Sequence, residues 1–225
     1  MSKFIKYASL GIVAFVTTAE LYYHCTWWLR RKLQEDISDI NEIIYTRSSL
    51  NLNSRLTKNI DFDSFEPSQY AVEVITNLIL SAKDTCYVAV YIFSSDQLAK
   101  ALIASKKKGV EVKCILDASM EVASHSKLKL LHSAGIPLKI HDAKMMHLKL
   151  CIIDVPSGKK QKKSADSFET PISIPSNGIV ITGSLNWTRE ALMSNEENFI
   201  VTSNSNLCQS SAKKFEEIWK SSRLY

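Results

Sequence analysis

The run Met146-His147-Leu148-Lys149-Leu150-Cys151-Ile152-Ile153-Asp154 sets an imidazole, an ammonium and a carboxylate at the spacing H-x-K-x4-D. If the run is a strand, side chains alternate along it, so His147 and Lys149 share a face. Such a pair is costly in a core unless a shared anion needs both. A phosphate would satisfy them: lysine supplies fixed charge, and histidine offers a nucleophilic or acid–base nitrogen. Asp154 stands an odd number of residues from Lys149, so it faces away or lies at the strand end. There it suits holding a backbone or a basic group better than touching substrate. Taken alone, the run also reads as a strand that starts at a sheet edge with polar residues at its mouth.

A second block, Gly183-Ser184-Leu185-Asn186-Trp187-Thr188-Arg189-Glu190-Ala191, leads into Asn195-Glu196-Glu197-Asn198. The pattern predicts a strand ending at Thr182, a tight turn at Gly183 and a helix beginning near Asn186. Backbone N–H groups at such a helix start, with the side chains of Ser184 and Asn186, bind phosphate oxygens well. A plain helix N-cap is the other reading of the same residues.

The elements that must position these groups alternate between strand and helix. A helix is expected after Pro67, with Tyr70, Val74 and Leu78 at helical spacing, followed by a buried strand over Cys86–Phe93. Asp96 can cap a helix that runs to Lys108 and ends at Gly109. A strand over Val110–Leu116, a helix near 121–134 and a short strand from Pro137 to Ile140 come next. Strands are expected at Leu148–Val155, Gly178–Thr182 and Asn198–Thr202, and an amphipathic helix from about Leu207. This alternation predicts an α/β fold whose sheet is covered on both faces. Residues 33–66 read as a polar linker with short helical pieces. Residues 156–177, rich in Ser, Lys and Pro, read as a surface excursion whose lysines could meet an anionic substrate or only solvent.

Composition sets limits on the function. The 225 residues suffice for one ordinary domain, and the 45% apolar and 23% charged fractions are globular values. Of the net charge of +5, +4 lies in the N-terminal segment. Without residues 1–32, 23 basic residues face 22 acidic ones, so any basic groove is local. The five cysteines are widely spaced with no C-x-x-C pair, as expected of buried free thiols in a reducing compartment. No clustered Cys or His suggests a metal. Residues 7–29 are mostly apolar or aromatic and long enough to span a bilayer, with Tyr22, Tyr23, Trp27 and Trp28 near one end and Arg30-Arg31-Lys32 closing the segment. A membrane anchor is the first reading; a signal peptide and a core helix are its competitors. The C-terminal basic flank would keep the following domain in the cytosol.

Together the two blocks resemble the phospholipase D superfamily of HKD phosphodiesterases, and in particular its Zucchini / mitochondrial cardiolipin hydrolase branch. The resemblance covers the apolar N-terminal segment and most of residues 68–221. It implies a phospholipase D-like mixed sheet flanked by helices over residues 67–225. It also implies a covalent phosphohistidine, with a second HKD histidine protonating the leaving oxygen, and no metal or cofactor. On that resemblance His147 is the nucleophile or acid, Lys149 neutralises the phosphate, and Asp154 supports. Ser184 and Asn186 match the phosphate-binding positions, and Glu197 matches the carboxylate that orients the histidine. Only one full H-x-K-x4-D run is present, so a homodimer placing two His147 side chains across a two-fold axis is expected. Residues 26–85 hold no Cys and no His, so the zinc-binding element typical of animal members cannot form there. The resemblance implies an endoribonuclease acting on single-stranded RNA at the mitochondrial outer membrane in piRNA production, facing the cytosol. A phospholipase acting on cardiolipin and an inactive membrane scaffold are the alternatives.

Overall fold

The computed structural model describes residues 20, 22–26, 39–47, 56, 69–156 and 170–225. They fall into two units, 1–38 and 39–225. In the first, residues 20 and 22–26 are helical, and Tyr22 and Tyr23 are exposed. The expected anchor, residues 7–29, otherwise lies outside the described residues. Among the described residues no helix is long and apolar enough to cross a membrane.

Among the described residues, the second unit has eight strands: β1 (Asn41–Tyr45), β2 (Thr85–Val90), β3 (Glu111–Asp117), β4 (Leu138–His141), β5 (Lys149–Ile153), β6 (Ile179–Gly183), β7 (Asn198–Thr202) and β8 (Arg223–Leu224). They form one mixed sheet in the order β1-β7-β6-β5-β2-β3-β4-β8. β2, β3 and β4 run parallel, and every other pairing is antiparallel. The helices are α1 (Tyr70–Leu80), α2 (Asp96–Lys107), α3 (Leu128–Ser133), α4 (Arg189–Met193) and α5 (Ser205–Ser221).

Period-two alternation divides the core between the faces of the sheet. Cys86, Val88, Val90, Cys151 and Ile153 share one cluster with Val74 and Leu78 of α1 and with Leu98 and Leu102 of α2. Ala89, Leu150, Ile152 and Val180 belong to the other, under Cys208, Phe215 and Ile218 of α5. The central strands thus read as unbroken apolar runs because both of their faces are covered. Each fully buried Leu or Ile contributes about 1.5–3 kcal/mol of transfer free energy.

Three local expectations differ from what forms. Residues 41–45 are not helical: they pair antiparallel with β7, from Asn41 opposite Thr202 to Tyr45 opposite Asn198. The β-branched pair Ile43–Ile44 suits a strand, but only the distant β7 provides an edge for it. Ser95, not Asp96, caps α2, its hydroxyl accepting the Leu98 N–H at 3.4 Å, while Asp96 pairs with Lys127 at 2.8 Å. The helix expected near 121–134 forms only as the short α3, preceded by a 3-10 turn at Ala118–Glu121. Residues 157–169 of the expected excursion lie outside the described residues. Its end returns to the core through Ile172 and Ile174, and the Ile172 N–H donates to Ser81 Oγ at 2.9 Å.

Candidate active site

Lys149 opens β5, and the residue is only 7% exposed. Its Nζ lies 3.1 and 3.2 Å from the two ring nitrogens of the exposed His147 and donates to the His147 carbonyl at 3.1 Å. Among the described residues no carboxylate pairs with this ammonium. Burial lowers its pKa from the usual lysine value, opposed by the charge of Glu197. A nearly buried cation beside an open imidazole, with no counterion of its own, is a place for an anion. The Tyr91 ring backs the pair, 4.9 Å from the imidazole and 5.6 Å from Nζ.

His147 stands just before β5, so its backbone needs other support. Asp117, at the end of β3, provides it through the neighbouring residue. Its Oδ2 accepts the Met146 N–H at 2.9 Å, and Oδ1 accepts the Ser119 N–H and hydroxyl at 3.0 and 2.8 Å. Burial pushes the Asp117 carboxyl up. The Met146 and Ser119 donors and the charge of His141 outweigh that and hold it below the usual aspartate value. Sequence reasoning missed this residue, since nothing local in Leu116-Asp117-Ala118 points to position 146.

Asp154 holds backbone. Its carboxylate accepts N–H groups from Lys83, Asp84 and Thr85 at 2.9, 2.8 and 2.9 Å, fixing the entry to β2. Burial raises its pKa, and the three donors pull the other way. Its φ of +54° turns the chain at the strand end, against Gly178. A Cβ on Gly178 would lie 2.5 Å from the Ile153 carbonyl oxygen and the Val155 nitrogen.

Glu197 joins the site from the chain leading into β7. Ser184 Oγ donates to its Oε2, and Asn195 Nδ2 donates to Oε1 at 3.3 Å. A Cβ on Gly183 would collide with the Asn198 carbonyl, so glycine allows the close approach that joins Ser184 to this acid. Asn186 Oδ1 is buried without a hydrogen-bond partner among the described residues.

The helix expected near Asn186 starts only at Arg189, with Thr188 as its N-cap. The backbone of Trp187 is held extended: its N–H donates to the Ile92 carbonyl, and its own carbonyl accepts from Ser94 and Ser95. Ser184 and Asn186 therefore lie on an extended loop, not at a helix N-terminus. A second H-x-K pair, His125 and Lys127, has His132 where the full run would need Asp. These two residues line a separate cavity of about 770 Å³, with Lys127 tied to Asp96.

Beside His147 opens a cavity of about 620 Å³, lined by Met145, Met146, Leu148 and Ile218 with Lys214 and Glu217 at its polar side. Among the described residues no group of His, Cys, Asp or Glu could hold a metal ion. Of the described cysteines, Cys86, Cys114, Cys151 and Cys208 are buried free thiols, and Cys25 is an exposed one.

Comparison with known proteins places these features in a family. The model of the cardiolipin synthase, PLD-like domain family matches residues 75–219. A mitochondrial cardiolipin hydrolase of Danio rerio is 26% identical over 227 residues, 97% of this chain and 88% of that protein. The protein of that name from Homo sapiens is 28% identical over 151 residues, 67% of this chain and 51% of its own length. The phospholipase D family member Nuc of Salmonella typhimurium shares the fold, with a TM-score of 0.61 at 24% identity over 84% of this chain and 99% of that one. NucT from Helicobacter pylori gives the same TM-score at 16% identity, over 84% of this chain and all of that one. On the family match and the relatives together, the chain belongs to the phospholipase D superfamily of phosphodiesterases, in the branch of the mitochondrial cardiolipin hydrolases.

Proposed function

We propose that this phosphodiesterase works through a phosphohistidine formed on His147, in a site completed by a second copy of the chain. The observation that carries the reading is the Lys149 ammonium, nearly buried without a carboxylate partner and in contact with the His147 ring. A phosphodiester seated there has one oxygen on Lys149 and its phosphorus before the imidazole. Attack by the imidazole forms a P–N bond as the bond to the leaving oxygen breaks, and that oxygen takes a proton from the partner's His147. Water, deprotonated by the same partner imidazole, then cleaves the P–N bond and frees His147. Such acid–base assistance contributes about 10²–10⁴ in rate. Ser184 and Asn186 bind the remaining phosphate oxygens, Asn186 through its Nδ2 donor and Ser184 through a hydroxyl that turns from Glu197 to the phosphate. Glu197 orients the imidazole, and Asp154 holds the scaffold. No step requires a metal or a cofactor.

Our first substrate is single-stranded RNA, cut endonucleolytically at the cytosolic face of the mitochondrial outer membrane in piRNA production. Residues 1–32 with the apolar run 7–29 serve as anchor, 33–66 as connection and 67–225 as catalytic domain. The open, solvent-facing position of His147 supports a polymer passing across the site. A second reading, cardiolipin hydrolysis yielding phosphatidate, is favoured by the methionine- and leucine-lined cavity beside His147, which suits an acyl chain. It also agrees with the names of the relatives.

The test presents the full chain, with EDTA, to labelled single-stranded RNA and to cardiolipin vesicles in parallel. His147→Asn controls for contaminating nuclease. RNA cleavage lost in the variant supports the first reading, and lipid turnover alone supports the second. Silence on both leaves an inactive membrane scaffold.

A further inference from the structure

The register between β1 and β7 ends at Tyr45 opposite Asn198, yet the two segments stay joined beyond it. Thr46, fully buried, does this with its side chain. Its hydroxyl donates to the Asn195 carbonyl at 2.6 Å and accepts the Glu197 N–H at 2.8 Å. Its own N–H donates to the Glu197 carbonyl at 3.0 Å. Arg47 follows in the left-handed region, φ +54°, and its Nη1 donates to the Ser194 carbonyl at 3.0 Å. The stretch Ser194–Glu197 is therefore gripped by the two residues that follow β1, far away in sequence. The Glu197 carboxylate that results is bound by Ser184 and Asn195 and is felt electrostatically at Lys149. β1 lies outside residues 75–219, which the family model matches.

We infer that Thr46 is a positioning residue: it fixes the backbone of Glu197 so that the carboxylate is held in the site, which makes β1 part of the active-site apparatus and not a spacer. A β-ladder needs only backbone bonds at this point. A side chain that donates to Asn195 and accepts from Glu197, both beyond the ladder, fixes where Glu197 stands. The inference rests on the proposed role of Glu197 in orienting His147.

The experiment uses the full chain in detergent with bis(p-nitrophenyl) phosphate, a small diester that does not depend on whether RNA or lipid is the natural substrate. Thr46→Val keeps the shape and removes the hydroxyl, Thr46→Ser keeps the hydroxyl, and Glu197→Gln is the reference. Displacement of a catalytic group by about 1 Å costs on the order of 10²-fold. The expected result is that Thr46→Val loses about 10- to 100-fold in kcat with KM within about threefold. Its pH–rate profile moves in the same direction as that of Glu197→Gln, while Thr46→Ser stays near wild type. A Thr46→Val protein with wild-type kcat and pH profile, beside a slow Glu197→Gln, overturns the inference and leaves the proposed function standing, even if its Tm falls. Wild-type rates for Glu197→Gln, or no turnover by the wild type, remove the proposed role of Glu197 and the inference with it.

Discussion

Replacing Asp154 by alanine separates scaffold from chemistry. The substitution strips acceptors from three N–H groups, of which that of buried Thr85 has no water to turn to and those of Lys83 and Asp84 lie nearer solvent. A bond to a charged acceptor contributes about 1.5–3 kcal/mol, so the Thr85 N–H accounts for about 2 kcal/mol and the other two for about 1 kcal/mol together. Alanine at φ +54° adds about 1 kcal/mol of strain. Relief of the buried carboxylate, whose pKa burial raises, offsets part of this. The net is a destabilisation of about 3 kcal/mol, and a unit of this size loses roughly 2–4 °C in Tm per kcal/mol. Thermal unfolding followed by circular dichroism should therefore show Tm lower by about 10 °C, with kcat of the folded protein at 20 °C within about threefold of wild type. A variant with unchanged Tm and abolished turnover would show that Asp154 acts in the reaction itself, and the argument would be wrong.

Two other substitutions probe the groups around His147. Lys149→Met removes a nearly buried, unpaired ammonium, so Tm should hold or rise while turnover drops by about 10²-fold or more; a lower Tm with activity retained would contradict the anion-site reading. Asp117→Asn should destabilise the protein by about 2 kcal/mol at neutral pH. Because the folded-state pKa of Asp117 is lowered, its contribution is present above the unfolded aspartate value of about 3.9 and is lost as pH falls through the lower folded value. Urea unfolding of both proteins from pH 7 to pH 2 should show the gap closing below about pH 4, and a constant gap would refute the assignment.

How much of this was legible in the sequence differs from residue to residue. The central strands announce themselves, because Cys86–Val90 and Lys149–Ile153 are buried on both faces and so carry continuous apolar runs. The pairing of His147 with Lys149 follows from period two, and the odd offset of Asp154 anticipates that its carboxylate is occupied with backbone. Three features were not legible, each for want of a local signal. β1 owes its existence to the edge of β7, some 155 residues on, and its own five residues are too few to show a pattern. The late start of α4 is set by the backbone bonds of Trp187 to the chain after β2, a tertiary effect that overrides local capping preferences. Asp117 and Thr46 support the site through hydrogen bonds to the backbone at 146 and 195–197, and a single aspartate or threonine gives no hint of such a partner.

The central claim is a bond from phosphorus to His147, and trapping that bond tests it most directly. The full chain, mixed with a phosphodiester substrate and quenched within milliseconds at alkaline pH, where phosphohistidine survives, would be digested with trypsin and read by mass spectrometry. The account predicts an adduct on the Met145–Lys149 peptide, absent from a His147→Asn protein that is folded and inactive. An adduct on another residue, or turnover that persists in His147→Asn, would contradict it.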